Sequence, residues 1–149
     1  AGLRLLADHS IADAPQAQVL IVPGGVVDAA LACRPTLDWI RTQSSTARIV
    51  ASVCTGAFLL AATDVLQGRA RCTTHWEDTA ELREKFPRLD VVDDVRWVDN
   101  GRIVTSAGIS AGIDMSLHLV ERLAGRDLAL RTARQMDFAW TTHLSSPSA

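Results

Sequence analysis

Cys54 is the residue whose setting most directly suggests chemistry. It stands between residues 48–53, which read as a buried strand, and residues 57–62, apolar on every side, which read as a helix enclosed in the core. The residues two before and two after it, Ser52 and Gly56, are small. A sharp strand-to-helix turn crowds those two positions against each other. That is the logic of the nucleophile elbow in G-x-S-x-G hydrolases, here with cysteine in place of serine. Such a turn exposes the sulfur at a helix start, where the dipole favours thiolate, the reactive form. The competing reading is a small buried cysteine that packs as a hydrophobe. The hydroxyl of Thr55 can donate to a substrate nitrogen or position a water, or it can cap the helix start.

Two further segments belong near that turn. Pro23-Gly24-Gly25 ends the apolar run 19–22, and the backbone N–H groups of Gly24 and Gly25 are candidates for holding a developing oxyanion. His75 follows a strand-like segment at 71–74 and is a candidate general base or ion-pair partner of the thiolate; the alternative is a histidine that hydrogen-bonds locally beside Trp76. His118 lies inside an apolar helical stretch and reads as a satisfied core or interface residue, whereas His9 and His143 carry no motif. Cys33 reads as structural, and Cys72 as a packing residue or else a second pocket thiol; a disulfide framework would need an even count and a secreted context, so at least one of the three thiols is expected to be free. No HExxH or paired CxxC is present, so no metal site is expected.

Strand-turn-helix units position these residues. Residues 19–22 and 48–53 read as strands buried on both faces, with a helical stretch from Asp28 to Gln43 broken where Pro35 opens a second helix. The apolar helix after Cys54 is expected to run to Gln67-Gly68. A strand at 71–74, a helix at 77–86 closed by Pro87, and short strands at 91–92 and 95–98 follow. A hairpin turn is expected at Asp99-Asn100-Gly101, then a returning strand from Ile103 to Thr105. A small-residue loop at 106–112 leads into a helix that Gly125 ends. The last helix begins near Asp127, with Ala129, Ala133, Met136 and Trp140 on one face, and the tail 145–149 reads as frayed. The pattern is α/β with a mainly parallel sheet, in which ligands bind beyond the carboxyl ends of the strands.

The 149 residues fit a single domain, and their 48% hydrophobic and 21% charged content excludes intrinsic disorder. A net charge of -2 gives no broad footprint for nucleic acid or an anionic membrane. No apolar run approaches the ~20 residues of a spanning helix, and no signal-peptide layout opens the chain, so a cytoplasmic location is expected.

Val-Pro-Gly-Gly at 22–25, Ala-Ser-Val-Cys-Thr-Gly at 51–56, Thr-Thr-His-Trp at 73–76 and Thr-Ser-Ala-Gly-Ile-Ser-Ala-Gly-Ile-Asp at 105–114 resemble the ThiJ/PfpI superfamily of class I glutamine-amidotransferase-like domains. The resemblance covers almost the whole chain, in order. It implies a flavodoxin-like parallel sheet sandwiched by helices, with Cys54 as the elbow nucleophile. Protease- and deglycase-like members carry His after the cysteine. Thr55 instead matches the isonitrile hydratases and the sensor domains of one class of AraC-type regulators, and in the hydratases this threonine is a functional partner of the cysteine. Asp114 is expected to favour its helix dipole and not to be catalytic. Members open with a strand followed by an acidic residue that hydrogen-bonds the sulfur or activates water. Residues 2–10 resemble a later segment, and neither Asp8 nor Asp13 matches that acid. The chain is therefore expected to be N-terminally truncated, without the opening strand, its helix and the acid.

The resemblance implies a cofactor-free isonitrile hydratase, in which the Cys54 thiolate adds to the isonitrile carbon and water releases an N-substituted formamide. It also implies a small-molecule substrate and a homodimer, with no nucleic acid bound by this chain and no membrane. Three alternatives stand beside it. One is a glyoxalase acting on 2-oxoaldehydes through Cys54 and His75. Another is a sensor domain of an AraC-type regulator, placed lower because no helix-turn-helix module follows Trp140. The third is a redox-responsive cysteine protein, because an exposed low-pKa thiol oxidises readily.

Overall fold

In the computed structural model, which describes residues 2–142, the two apolar runs are neighbouring strands. Val19–Val22 (β1) pairs in parallel with Ile49–Val53 (β2), placing Val22 beside Ser52. Between them lie two helices, Asp28–Leu31 (α1) and Arg34–Thr46 (α2). Pro35 falls in the first turn of α2, where its missing N–H would lack an intrahelical partner anyway. Gly56–Ala62 (α3) follows β2 and buries all but its last residue. It stops five residues before the expected Gln67-Gly68 boundary: the Thr63 hydroxyl turns back onto the carbonyl of Leu59 at 2.9 Å, and Asp64 adopts φ +57.

Arg71–Cys72 (β3) pairs in parallel with Asp90–Val91 (β4) as a separate two-stranded sheet. Between them a 3-10 turn at Trp76–Asp78 leads into Thr79–Lys85 (α4). Trp97–Asp99 (β5) and Ile103–Ser106 (β6) form the antiparallel hairpin expected from Asn100-Gly101, although only Gly101 takes positive φ, at +81. Its N–H donates to the Asp99 carboxylate at 2.6 Å. β6 returns to lie parallel to β2, giving the order β1-β2-β6-β5.

Ser110–Ala124 (α5) and Arg126–Gln135 (α6) complete the fold, separated by Gly125 at φ +93. Of the face expected on α6, Ala129 and Ala133 are buried, but Met136 is half exposed and Trp140 lies beyond the helix. The period of two along β2 sends successive side chains to opposite faces. Val50 joins one core with Leu20, Ile40, Phe58, Leu60, Cys72 and Leu82, while Ile49 and Ala51 join a second with Trp97, Val104, Met115 and Leu119. Helices α2 and α3 thus cover one side of the sheet and α5 the other. β1 is an edge strand among the described residues, and its Ile21 is 46% exposed.

Candidate active site

The carboxyl ends of β1, β2 and β6 lie side by side, with Cys54 directly after β2, Gly24 beyond β1 packed against it and the last residue of β6 bonded to it. At the β2–α3 junction Cys54 has φ +56, a left-handed conformation that costs a non-glycine residue on the order of 1–3 kcal/mol. Surrounding contacts hold it there. The Cys54 N–H donates to the Ser106 carbonyl at 3.0 Å, and the Cys54 carbonyl accepts from the Thr74 hydroxyl at 2.9 Å. The reason for a small residue at 56 differs from the one expected. A Cβ there would meet the Val22 carbonyl oxygen at 2.3 Å and that of Pro23 at 2.9 Å, so the crowding comes from the end of β1 and not from Ser52.

Gly24 makes the reciprocal approach from the β1 side. A Cβ on it would lie 2.7 Å from Cys54 Cβ and 2.8 Å from the Thr55 nitrogen. Backbone therefore packs on backbone around the cysteine. The N–H groups of Gly24, Thr55 and Gly56 find no acceptor among the described residues, so three donors are free beside the turn. The Gly25 N–H is not free: it donates to the Thr55 hydroxyl oxygen at 2.8 Å, and that hydroxyl donates to the Gly25 carbonyl at 2.8 Å. Thr55 makes no capping hydrogen bond to α3, which removes the capping alternative.

His75 lies three residues beyond β3, positioned by its two predecessors. Thr73 and Thr74 are buried, with the Thr73 N–H on the Thr105 hydroxyl at 3.0 Å and Thr74 anchored on Cys54. No hydrogen bond joins His75 to Cys54. Its Nε2 lies 3.2 Å from Glu77 Oε2, and its Nδ1 is buried without a partner. Gly108 gives the ring its seat, because a Cβ at that position would fall 2.3 Å from Nδ1. His75, Trp76, Asp94, Arg96, Gly108 and Ile109 are among the residues lining a cavity of about 630 Å³, open between the 3-10 turn and the loops at 93–96 and 107–110. Cys54 is not in that lining. The structure thus gathers Cys54, Thr55, Gly24 and Gly25, whereas His75 is tied to that group only through its neighbour Thr74, and the cavity it lines does not include Cys54.

Asp114 does more than the helix-dipole role expected of it. It lies beyond the first turn of α5, is fully buried, and pairs with Arg96 while accepting the Thr141 N–H at 2.8 Å. Arg96 was not legible as its partner, since nothing local links positions 18 residues apart. His118 is a satisfied residue as expected, with Nε2 2.7 Å from Asp99 Oδ2 and its ring against Trp97. Cys33 and Cys72 differ sharply. The Thr36 hydroxyl donates to Cys33 Sγ at 3.1 Å and holds its pKa below the ordinary thiol value. Burial, with the Asp90 carboxylate nearby, pushes the Cys72 thiol up to about 11. All three thiols are free, and no cluster of three or more His, Cys, Asp or Glu suited to a metal occurs among the described residues.

Comparison with known proteins gives a consistent picture. The DJ-1/PfpI family model matches residues 1–122. An isonitrile hydratase from Pseudomonas putida is 40% identical over 139 residues, covering 93% of this chain and 59% of that protein. The HTH-type transcriptional regulator GbdR from Pseudomonas aeruginosa is 35% identical over 128 residues, covering 86% of this chain and 34% of the regulator. Among solved structures, a ThiJ/PfpI family protein from Pseudomonas syringae superposes with a TM-score of 0.83 at 26% identity, over 99% of this chain and 60% of that one. DJ-1beta from Drosophila melanogaster gives 0.76 at 25% identity, over 93% and 74%.

Proposed function

Because the chain belongs to the DJ-1/PfpI family, we propose that it carries the nucleophile of a cysteine-nucleophile enzyme of the isonitrile hydratase type. The observation that carries this reading is the backbone of Cys54, held at φ +56 between β2 and α3 with unpaired N–H donors on either side of it. Strain of that kind persists only where surrounding contacts impose it, and it re-aims the side chain out of the sheet.

The Cys54 sulfur adds to the terminal carbon of an isonitrile, and a proton reaches that carbon, giving a thioimidate with a carbon–nitrogen double bond. Water then adds to the same carbon. Collapse expels the Cys54 thiol and leaves an N-substituted formamide, so one water is consumed per isonitrile and no oxidant is needed. The free N–H groups of Gly24 and Thr55 are the donors for charge that develops beside the sulfur. His75, with Glu77 on Nε2, is the nearby group through which protons can pass. The same reading makes the protein a cytoplasmic lyase and a homodimer, and sedimentation of the purified chain tests the dimer.

The test is formamide production from cyclohexyl isocyanide by the wild type and Cys54→Ala. Loss of all turnover in the variant is expected, and full hydration by Cys54→Ala would sink the mechanism. A second reading is favoured by one observation, the match to an HTH-type transcriptional regulator over 86% of this chain. The domain would then bind a small molecule without turning it over, and tight ligand binding with no product in the same assay would select that reading.

A further inference from the structure

The Thr55 hydroxyl is committed at both of its polar ends, and both commitments are to one residue. It accepts from the Gly25 N–H and donates to the Gly25 carbonyl, each at 2.8 Å. We propose that Thr55 is a positioning residue, a latch that fixes the Gly24-Gly25 loop against the cysteine turn, and that its hydroxyl does not act on substrate. The proposal rests on the Cys54 reading only for its consequence in catalysis; the latch itself can be tested without turnover.

Three features of the site fit this assignment. First, bridging the N–H and C=O of a single residue from one oxygen demands that both point to the same side. Gly25 does so at φ +135, a backbone conformation closed to ordinary L side chains. Second, the bridging atom must donate and accept at once. A hydroxyl does this from one atom, and alanine cannot. Threonine adds a branched Cβ that restricts χ1 and keeps the hydroxyl aimed. Third, the loop needs such a hold. Gly24 lies against Cys54 and Thr55, but beyond Gly25 the chain runs out to Val26, which is 93% exposed. Without the latch, the last fixed point before that excursion would be Gly24 itself.

The consequence concerns which donors of the loop are left unpaired. With its N–H turned into the hydroxyl, Gly25 is withdrawn from the set available to a developing anion, and the Gly24 N–H is the loop donor that remains. The latch sets the orientation of the peptide that follows Gly24, and so steadies the wall beside Cys54.

Hydrogen exchange of the Gly25 amide, followed by NMR on the whole chain, tests this. In the wild type that amide is expected to exchange roughly tenfold or more slowly than an unbonded loop amide. Thr55→Val keeps the shape and loses both bonds, so protection at Gly25 should vanish while the β2 amides stay protected. Thr55→Ser should retain most of it. Thr55→Ala carries the same comparison if the valine variant does not fold. Alkylation of Cys54 by iodoacetamide should change in Thr55→Ala and stay close to wild type in Thr55→Ser. A wild-type Gly25 amide without protection, or protection that survives in Thr55→Ala, overturns the latch. Turnover lost in Thr55→Ala with exchange and alkylation unchanged would return the hydroxyl to the reacting atoms. Full turnover by Cys54→Ala would fault the nucleophile and leave the exchange results standing.

Discussion

The residues around Cys54 show how much of a site sequence can reveal, and where it stops. Small residues at 52 and 56 flag a sharp turn, and the turn is there. What each one avoids could not be read from the chain, because the atoms that crowd Gly56 belong to Val22 and Pro23 on another strand. Thr55 shows the same limit: a hydroxyl beside a cysteine reads equally as donor or cap, and only the tertiary position of Gly25 reveals what it binds. The crowding makes a quantitative expectation at this scale. Gly56→Ala places a methyl 2.3 Å from a carbonyl oxygen, and neither backbone can swing away as a side chain would. The substitution should cost about 1–3 kcal/mol, seen as a lower urea midpoint at unchanged slope. An unaltered midpoint would mean that the β1 and α3 backbones are not in contact.

Elements were legible where a periodic apolar pattern met a strong stop. The β1 and β2 runs, the Pro35 start of α2 and the Gly125 break between α5 and α6 all have local causes. α3 ends earlier than its apolar pattern predicts because Thr63 turns its hydroxyl back onto the helix before the glycine is reached. The split of the short strands into a second sheet was not visible either, since pairing partners are chosen by packing and not by composition. Between elements, the Asp114–Arg96 pair joins α5 to the 93–96 loop, and Thr141 ties the following segment to the same carboxylate. Asp114→Ala leaves Arg96, only 18% exposed, without its counter-charge, and should cost about 3–5 kcal/mol in denaturant unfolding. Asp114→Asn, which keeps an acceptor for Thr141, should cost less. Equal losses in the two variants would show that the charge is not what joins these elements.

At the scale of the molecule, one sheet separates two apolar cores, and alternation along β2 is enough to assign residues to each. No helix among the described residues is long and apolar enough to cross a membrane. The chain spans 59% of the length of the isonitrile hydratase it matches. Stability against pH is open to a direct prediction. The Cys72 thiol is raised to about 11 in the fold from an ordinary value of 9.0, so the native state holds its proton more tightly than the unfolded chain. The resulting stabilisation is fully present below pH 9 and is lost as pH rises from 9 to 11, on the order of 2 kcal/mol in all. Unfolding midpoints at pH 8 and pH 10.5 should fall further in the wild type than in Cys72→Ala; an equal fall in both would assign the alkaline loss to other groups. The same burial gives the chain an internal clock. Cys72 has no accessible surface, while Cys33 is partly exposed and its thiolate is favoured by Thr36. In a thiol-labelling time course Cys33 should therefore mark the passage of reagent, and Cys72 should count openings of the core beneath α4, molecule by molecule, with no dye or engineered probe.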